Sequence, residues 1–361
     1  MSAGEAPELL PERGPSVWLG PRVDLMREGT RAFAAHEIAE IEAALGGLRA
    51  AGDRDFPEIT RDAFPLPTLG PAIQRIGDDL RHGRGFLLLR GLPAARYDPD
   101  DLARILYGLG AHLGRALPQS HLGELVGHVM NVSDVEPEAR GYHTGRALGP
   151  HSDNCDIVAL MCIRPGAGGR SRIISAAAIH NLILRRRPDL LAALYLPVAY
   201  RRKPKDAELG SGVRDRSVAT FSRASGELSS YLNIGYVRAA IRADPASVPR
   251  HQVEALELLR RLLAAPEAYL EMEFQPGDIQ LLNNRRIFHG RTGYDEPPAF
   301  ADRRHLLRLW LAMPGWPPLP ADQGMHDAAD HAAWLIRREP FMELPSRYLA
   351  ALDRRKAEAS A

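Results

Sequence analysis

Three residues of this sequence have the types and spacing of a metal site. His151 and Asp153 are separated by one residue, and in an extended strand residues i and i+2 point to the same face, so an imidazole and a carboxylate can bind one ion from one side. His289 follows an apolar strand-like run far along the chain. Two histidines and one carboxylate leave coordination positions open, as in non-haem Fe(II) oxygenases, whereas closed structural zinc sites need four protein ligands. The sequence therefore predicts an open metal centre.

Two arginines predict an anion site beside this metal. If the segment that contains Arg304 and Arg308 is a strand, both guanidiniums point to one face of an otherwise apolar wall. Burying an arginine is costly unless an anion pairs with it. A guanidinium can hold a carboxylate through two parallel hydrogen bonds. Ser171, which follows a Pro/Gly-rich turn, is placed to donate a further hydrogen bond to the same carboxylate.

The order of these motifs resembles the taurine dioxygenase/TfdA family of Fe(II)- and 2-oxoglutarate-dependent dioxygenases. The resemblance extends over residues 65 to 313 and rests on His151-x-Asp153, Gly168-Gly169-x-Ser171, Pro276-Gly277-Asp278, Asn283-Asn284, His289-Gly290-Arg291, and Arg304 with Arg308. It implies a double-stranded β-helix (jelly-roll) core. It also implies that His151, Asp153 and His289 bind the iron.

The same resemblance implies where the co-substrate binds. Arg304 matches the arginine that holds the distal carboxylate of 2-oxoglutarate, and Ser171 stands at the position of the hydroxyl residue that helps it. Arg308 matches an arginine that faces the substrate in many members. Because the loop between His289 and Arg304 varies in length within the family, the choice between the two arginines stays open.

The implied reaction is oxidative decarboxylation of 2-oxoglutarate by O₂ to succinate and CO₂, coupled to hydroxylation of a small polar substrate. The metal supplies the difficult chemistry, and the protein positions the reacting groups. Desaturation, epoxidation or cyclisation would use the same residues. Halogenases of this superfamily carry a small residue in place of the carboxylate ligand, so Asp153 favours hydroxylation.

Two other classes of protein are alternatives. A non-redox metal-binding jelly-roll protein, such as an isomerase or a small-molecule sensor, would not need the anchor formed by Arg304 and Ser171. A zinc hydrolase would need a general base beside the metal, and the sequence has no HExxH-like arrangement.

Five residues are candidates for contact with the substrate: Arg308, Arg140, Tyr142, Gln119 and His121. Arg140 and Tyr142 lie in a loop just before the metal ligands, which the family places over the active site. Gln119 and His121 lie in the earlier loop 118–123. The alternative is that these are ordinary loop residues and that Arg308 forms a surface salt bridge. The arginines favour a carboxylate-bearing, sulfonate-bearing or amino-acid-like substrate.

Composition limits the class of protein. Of 361 residues, 45% are hydrophobic and 25% charged, and the formal net charge is +1, which is typical of a soluble globular protein and gives no case for binding nucleic acid or a membrane. No secretory signal or run of about eighteen apolar residues is present. Cys155 and Cys162 are too few for a disulfide scaffold or a cysteine zinc site. We expect a cytoplasmic enzyme with a small-molecule substrate, and the sequence leaves a homo-oligomer open.

Hydrophobic spacing indicates which elements position these residues. It predicts helices over 36–48, 69–80, 99–113, 176–194 and 248–263, and strands over 85–90, 156–163, 230–237, 269–274, 278–282 and 299–313. The fold class is α+β, a jelly-roll core with flanking and inserted helices. We expect a single catalytic domain over 1–361, with a helical and loop segment at 1–64, the core at 65–313 and an extension at 314–361.

Overall fold

The structure is a computed structural model that describes residues 9–136 and 139–360. Its strands, in chain order, are β1 (Thr30–Ala32), β2 (Phe86–Arg90), β3 (Arg115–Leu117), β4 (Val126–Val129), β5 (Leu148–His151), β6 (Ile157–Arg164), β7 (Ala167–Gly168), β8 (Ser171–Ser175), β9 (Val198–Arg201), β10 (Asp215–Val218), β11 (Phe221–Ala224), β12 (Glu227–Ser230), β13 (Tyr269–Met272), β14 (Ile279–Asn283), β15 (Ile287–Arg291), β16 (Tyr294–Asp295) and β17 (His305–Ala312).

Helices flank these strands and are inserted between them. In chain order they are α1 (Leu25–Glu28), α2 (Ala35–Ala50), α3 (Leu69–His82), α4 (Pro99–Ala111), α5 (Ala176–Arg186), α6 (Pro188–Leu194), α7 (Pro204–Glu208), α8 (Ile234–Ala243), α9 (Arg250–Ala264), α10 (Ala328–Leu335) and α11 (Pro345–Ser360). Among the described residues, no helix is both long and apolar enough to cross a membrane.

Two sheets carry the site. The larger has the strand order β1-β2-β14-β6-β17-β3, and β4 also pairs with β17. The smaller has the order β13-β8-β15-β5. Neighbouring strands are antiparallel in both sheets except for β1 and β2, which are parallel. Strands that are distant in sequence thus become neighbours, and this pairing brings His151 opposite His289.

Alternation along β17 separates the helix-facing side from the site-facing side. Leu307, Leu309 and Leu311 are fully buried in the cluster that joins the larger sheet to α2, α3 and α4. The intervening residues face the other way, and Trp310 packs in a cluster shared with the smaller sheet. Because side chains alternate across a strand, Arg308 shares that inner face. This confirms the predicted common face of the 308 and 310 side chains.

The interior between the sheets is apolar. Its buried members come from both sheets and from the N-terminal segment: Trp18, Phe86, Val158, Leu282 and Trp310, together with Ile173, Leu270, Met272 and Ile287. The indole nitrogen of Trp18 donates to the Arg84 carbonyl oxygen at 3.0 Å. The N-terminal segment, of which residues 1–8 lie outside the described part, is therefore attached to the core at Trp18.

Two predicted elements differ from the structure. The helix expected over 176–194 is broken between α5 and α6, because the residue before Pro188 is pushed out of helical geometry and Arg187 has φ −149° and ψ 71°. The strand expected over 230–237 was also wrong. Strand β12 ends at Ser230, and α8 begins at Ile234 with Val237 and Ala240 buried one turn apart.

The last core strand is shorter than expected. The prediction covered 299–313, but a 3-10 turn occupies Phe300–Asp302 and β17 begins only at His305. Arg304 therefore precedes the strand, and the strand pairing shifts register between His305 and Leu306.

A buried histidine pair joins β4 to β17. Nδ1 of His128 lies 2.8 Å from Nε2 of His305, and His128 Nε2 lies 2.8 Å from the Glu343 carbonyl oxygen, to which it donates. The ring of Tyr348 in α11 stacks on His128 with a centroid distance of 3.9 Å. Burial lowers the pKa of both imidazoles, and the pKa of His305 falls to about 3.

Because of this histidine pair, we expect the free energy of unfolding to fall in mild acid. Below about pH 6.5 the unfolded chain takes up a proton on each imidazole, whereas the folded chain keeps His305 neutral down to about pH 3. The unfolded state then binds more protons than the folded state. For each histidine, the free energy of unfolding therefore falls by about 1.4 kcal/mol with every unit by which the pH is lowered in this range. Urea denaturation at several pH values measures this slope. His305→Asn should have a smaller slope than the wild type, and equal slopes would contradict the assignment.

Candidate active site

The predicted metal ligands meet at one point. One ligand atom from each of His151, Asp153 and His289 lies within 4.8 Å of the others. His151 Nε2 and His289 Nε2 are each 3.7 Å from a carboxylate oxygen of Asp153. Two atoms that bind one ion at about 2.1 Å can be at most about 4.2 Å apart, so both 3.7 Å separations fit a single ion. Two imidazoles and one carboxylate form a donor set that suits Fe(II).

The ring orientation of His151 favours coordination through Nε2. Its Nδ1 lies 3.0 Å from the Gly149 carbonyl oxygen, to which an Nδ1–H group donates. That hydrogen bond places the lone pair on Nε2, as is usual for metal-binding histidines. Burial and the neighbouring His289 lower the pKa of His151 to about 4, so the imidazole is neutral at physiological pH. The Nδ1 of His289 is buried without a hydrogen-bond partner.

The carboxylate of Asp153 is held from the larger sheet. The indole nitrogen of Trp310 donates to Oδ2 at 2.8 Å, and Nη1 of Arg308 donates to the same oxygen at 3.2 Å. The Asn284 side-chain oxygen accepts from the Asp153 backbone N–H at 2.9 Å. Although burial alone would raise the pKa of Asp153, the Arg308 guanidinium and the two imidazoles hold that pKa well below its usual range. The side chain is therefore an oriented carboxylate anion.

Arg308 is buried within a set of fixed contacts. Its Nε donates to the Gln119 Oε1 at 2.7 Å, and the Gln119 amide nitrogen donates to the Arg308 carbonyl oxygen at 2.7 Å. Its guanidinium also lies 4.3 Å from the ring centroid of Tyr142 and 4.9 Å from that of Trp310. Gln119 was expected to contact the substrate. Its side chain is only 1% exposed and holds Arg308, and a contact with the substrate stays a prediction.

Removing the Gln119 amide should destabilise the protein. Gln119→Leu leaves the Arg308 Nε and the carbonyl oxygens of Arg308 and Leu125 without their partner. An unsatisfied buried polar group costs about 1–3 kcal/mol, and we expect a loss of that size in the free energy of unfolding. Urea denaturation measures it, with the exposed Gln275→Leu as the matched control. Equal stability of the two variants would contradict the role of Gln119 in positioning Arg308.

Arg304 lies in a buried recess built around the glycine turn. A Cβ atom at Gly166 would lie 2.7 Å from the Arg304 Cβ, and one at Gly169 would lie 2.6 Å from its Nε. Both glycines have positive φ, at 70° and 66°, so any other residue would be strained and would also displace the arginine. The sequence of the turn therefore makes room for the Arg304 side chain.

The recess contains donors without partners. Arg304 is 3% exposed, its Nη2 donates to the Gly169 carbonyl oxygen at 3.2 Å, and its Nη1 has no hydrogen-bond partner. The Arg291 Nε and the Tyr294 hydroxyl nearby are also buried and unpartnered. The Arg304 guanidinium lies 5.0 Å from the ring centroid of Tyr294, and that of Arg291 lies at 4.6 Å. Burial lowers the pKa of both arginines. Such a set of buried donors fits a carboxylate ligand.

Ser171 lies at the start of β8, opposite Arg291 of β15. Its hydroxyl is 3.2 Å from both the oxygen and the nitrogen of the Gln280 side-chain amide. Among the described residues, no hydrogen bond joins Ser171 to Arg304. The expected contribution of Ser171 to a carboxylate site stays a prediction.

A large cavity opens beside the metal ligands. Its volume is about 1130 Å³, and its walls include His151, Asp153, Arg308 and the predicted substrate residues Arg140 and Tyr142. Arg140 forms an ion pair with the buried carboxylate of Asp206.

His121 does not line this cavity among the described residues. Its Nδ1 lies 3.0 Å from the same Asp206 carboxylate. The expected contact of His121 with a substrate stays a prediction.

The sequence did not indicate some of the residues that complete the site. Trp310 was expected only as part of an apolar wall, yet it donates to Asp153. Tyr294 lies in the loop before Arg304 and brings its hydroxyl into the recess. A buried indole N–H needs a hydrogen-bond acceptor. A tryptophan two residues from a buried arginine on a strand that faces the site could therefore have been predicted to donate to a carboxylate of the site. Nothing in the sequence marks Tyr294.

The comparison with solved structures identifies the fold. An asparagine oxygenase in complex with Fe(II), hydroxyasparagine and succinate aligns with a TM-score of 0.62 at 18% identity, covering 78% of this chain and 93% of that chain. The oxygenase OrfP in complex with Fe and α-ketoglutaric acid aligns with a TM-score of 0.61 at 16% identity, covering 79% and 94%. The protein has the double-stranded β-helix core of these oxygenases, which confirms the predicted fold class.

The comparison with sequences identifies the family. FR-33289 synthase of Streptomyces rubellomurinus is 28% identical over 323 residues, covering 88% of this chain and 94% of the relative. A taurine hydroxylase-like protein of Stachybotrys chartarum is 29% identical over 311 residues, covering 81% and 77%. The family model described as taurine catabolism dioxygenase TauD, TfdA family, matches residues 52–310. The chain belongs to the TauD/TfdA family and is an Fe(II)- and 2-oxoglutarate-dependent dioxygenase.

Proposed function

We propose that this dioxygenase hydroxylates a small polar molecule that is amino-acid-like or carries a carboxylate. The proposal places Fe(II) on His151, Asp153 and His289, and 2-oxoglutarate on the recess of Arg304. The observation that carries it is the convergence of the three ligand atoms within 4.8 Å, beside a cavity of about 1130 Å³ that His151 and Asp153 line. The whole chain would then act as a single catalytic unit.

The substrate class is supported by the cavity wall and by the relatives. Arg140, Tyr142 and Arg308 line the cavity next to the metal ligands and offer two guanidiniums and a phenol to a polar substrate. Two solved relatives contain hydroxylated amino acids, 3-hydroxyasparagine in the asparagine oxygenase and dihydroxyarginine in OrfP. Arg308 is tied to Asp153 and Gln119, so it would orient a substrate group through donors that are already fixed in place.

The protein groups have separate tasks in this reaction. The bound iron, with 2-oxoglutarate and O₂, supplies the oxidising power that the protein lacks. The Gly149 carbonyl fixes the tautomer of His151, and the Trp310 indole and Arg308 fix the carboxylate of Asp153. Such outer partners hold the ligands in the geometry that the ion needs.

The recess would bind 2-oxoglutarate, and the cavity would bind the substrate. Arg304 and the Tyr294 hydroxyl would bind the distal carboxylate of 2-oxoglutarate, because the Arg304 Nη1 is buried without a hydrogen-bond partner and gains most from an anion. Arg304 does not line the cavity, whereas Arg308 does. Arg304 is therefore proposed for the co-substrate and Arg308 for the substrate.

Succinate formation tests the proposal. Anaerobically purified protein is loaded with Fe(II) and 2-oxoglutarate, exposed to O₂, and assayed for succinate with and without a panel of amino acids and small carboxylic acids. We expect slow succinate formation without a substrate and a clear increase with at least one member of the panel, accompanied by its hydroxylated product. Failure of every amino acid and carboxylate to raise the rate would contradict the proposed substrate class.

A further inference from the structure

The cavity wall carries far more positive charge than the iron site requires. Nine of the described residues that line it are arginine or lysine. Among the described residues that line it, the only carboxylate is Asp153, the proposed iron ligand. Clefts lined by charge of one sign concentrate ligands of the opposite sign.

Part of this charge is already neutralised by the protein. Arg140 pairs with Asp206, and Arg202 lies 2.7 Å from Asp330. Arg260 is 2.9 Å from Glu257 on its own helix, and Arg201 is 3.6 Å from Asp215. These four arginines therefore have carboxylate partners within the protein, and their charge does not require a second anion.

Three arginines of the wall lack such partners. No carboxylate of the described residues lies within 4.0 Å of Arg214, Arg238 or Arg242, and all three side chains are exposed. Arg214 precedes β10, and its carbonyl oxygen accepts from the Arg202 backbone N–H at 2.9 Å. The other two belong to α8. Unpaired cations from two separate elements thus face the same space.

One stripe of α8 lines the cavity. Gly235, Arg238, Ala239, Arg242 and Ala243 line the cavity and recur at i, i+3, i+4, i+7 and i+8, which is one stripe of a helix. The opposite side buries Val237 and Ala240 against the protein. Ile234 and Tyr236 also line the cavity beside this stripe, and the stripe places Arg238 and Arg242 one turn apart on the cavity wall.

The size of the cavity agrees with a substrate that reaches this wall. Pockets that hold drug-sized ligands measure about 300–1,000 Å³, and a cavity of about 1130 Å³ exceeds that range. A free amino acid would fill little of it. One molecule that extends from His151 to α8 would contact both ends of the cavity.

We propose that Arg214, Arg238 and Arg242 form a second anion subsite that binds a phosphate-type dianion on the substrate, away from the carbon that is oxidised. This inference rests on the proposed function and narrows its substrate class. A phosphate monoester carries about −1.5 to −2 charge at pH 7 and three strong acceptor oxygens, whereas a carboxylate or sulfonate carries a single charge. Three guanidiniums on the wall of one cavity can supply the number of donors and the charge that the former requires.

Matched aromatic anions test the subsite. Phenyl phosphate, benzenesulfonate and benzoate share one ring and differ in their anionic group. Their dissociation constants are measured by calorimetry on protein loaded anaerobically with Fe(II) and 2-oxoglutarate, so that the Arg304 recess is filled. We expect phenyl phosphate to bind most tightly. Arg238→Gln/Arg242→Gln should weaken it by about tenfold or more, because each guanidinium contributes charge-assisted hydrogen bonds.

The control is Arg185→Gln/Arg186→Gln, an exposed pair at the end of α5 that does not line the cavity and should leave binding unchanged. Equal affinity of the Arg238/Arg242 variant and the wild type, or binding of benzenesulfonate as tight as that of phenyl phosphate, would overturn the subsite. Succinate formation without substrate is measured on the same samples. Its absence from the wild type would overturn the proposed function, and its presence alongside unaltered phenyl phosphate binding would overturn only the subsite.

Discussion

Replacing His289 by alanine is expected to lower 2-oxoglutarate turnover by more than about 100-fold. Loss of a residue that only supports a metal ligand typically costs about 10–100-fold, and loss of a ligand should cost more. His289 belongs to the three-residue cluster and pairs with His151 across β5 and β15. Succinate formation at saturating Fe(II) and 2-oxoglutarate measures the effect.

Thermal stability separates loss of metal from loss of fold. A ligand that binds only the folded state raises stability by an amount that grows with its concentration relative to its dissociation constant. Fe(II) should therefore raise the melting temperature of the wild type but not that of His289→Ala. The metal-free proteins should melt at similar temperatures, since the Nδ1 of His289 makes no hydrogen bond. His36→Ala, an exposed histidine in α2, is the control. Full turnover in His289→Ala would contradict the assignment.

Replacing Arg304 by methionine is expected to weaken 2-oxoglutarate binding by about 100-fold. Removing one partner of a buried, hydrogen-bonded charge pair costs about 2–5 kcal/mol, and about 2.7 kcal/mol corresponds to a factor of 100. Anaerobic titration of the Fe(II)-loaded protein measures the dissociation constant. Arg308→Met is the comparison, because Arg308 lines the cavity and contacts Asp153.

The stability of the metal-free Arg304 variant gives a second readout. Nη1 of Arg304 is buried without a hydrogen-bond partner, and burial lowers the pKa of this arginine, so its charge is costly to bury in the metal-free protein. Methionine fills similar volume without that cost, and we expect the free energy of unfolding to stay level or to rise. The assignment of the anchor to Arg304 would be wrong if Arg308→Met weakened 2-oxoglutarate binding more than Arg304→Met.

The iron ligands were predictable from the sequence because their spacing is local or carried by motifs. The pair at 151 and 153 needs only an extended backbone, and His289 stands in a run of residues typical of the family. The inner face of β17 was likewise predictable, since alternation along a strand places Arg308 and Trp310 on one side.

Contacts between distant loops were not predictable in the same way. Gln119 is 189 residues from Arg308, and only the folded chain shows that its amide is used up in holding that arginine. The positions of Tyr294 and of the α8 arginines also depend on how distant parts of the chain pack, so the sequence did not predict them. A β-propensity reading of 230–237 hid the helical spacing of Val237 and Ala240, and with it the basic stripe on the cavity wall.

The central claim is that His151, Asp153 and His289 together bind one Fe(II) ion. Anaerobic equilibrium dialysis of Fe(II) against the wild type and against a His151→Ala/Asp153→Asn/His289→Ala variant tests it most directly. We predict one equivalent of tightly bound iron per chain in the wild type and none in the triple variant, with both proteins folded by circular dichroism. One equivalent retained by the triple variant, with unchanged affinity, would contradict the claim.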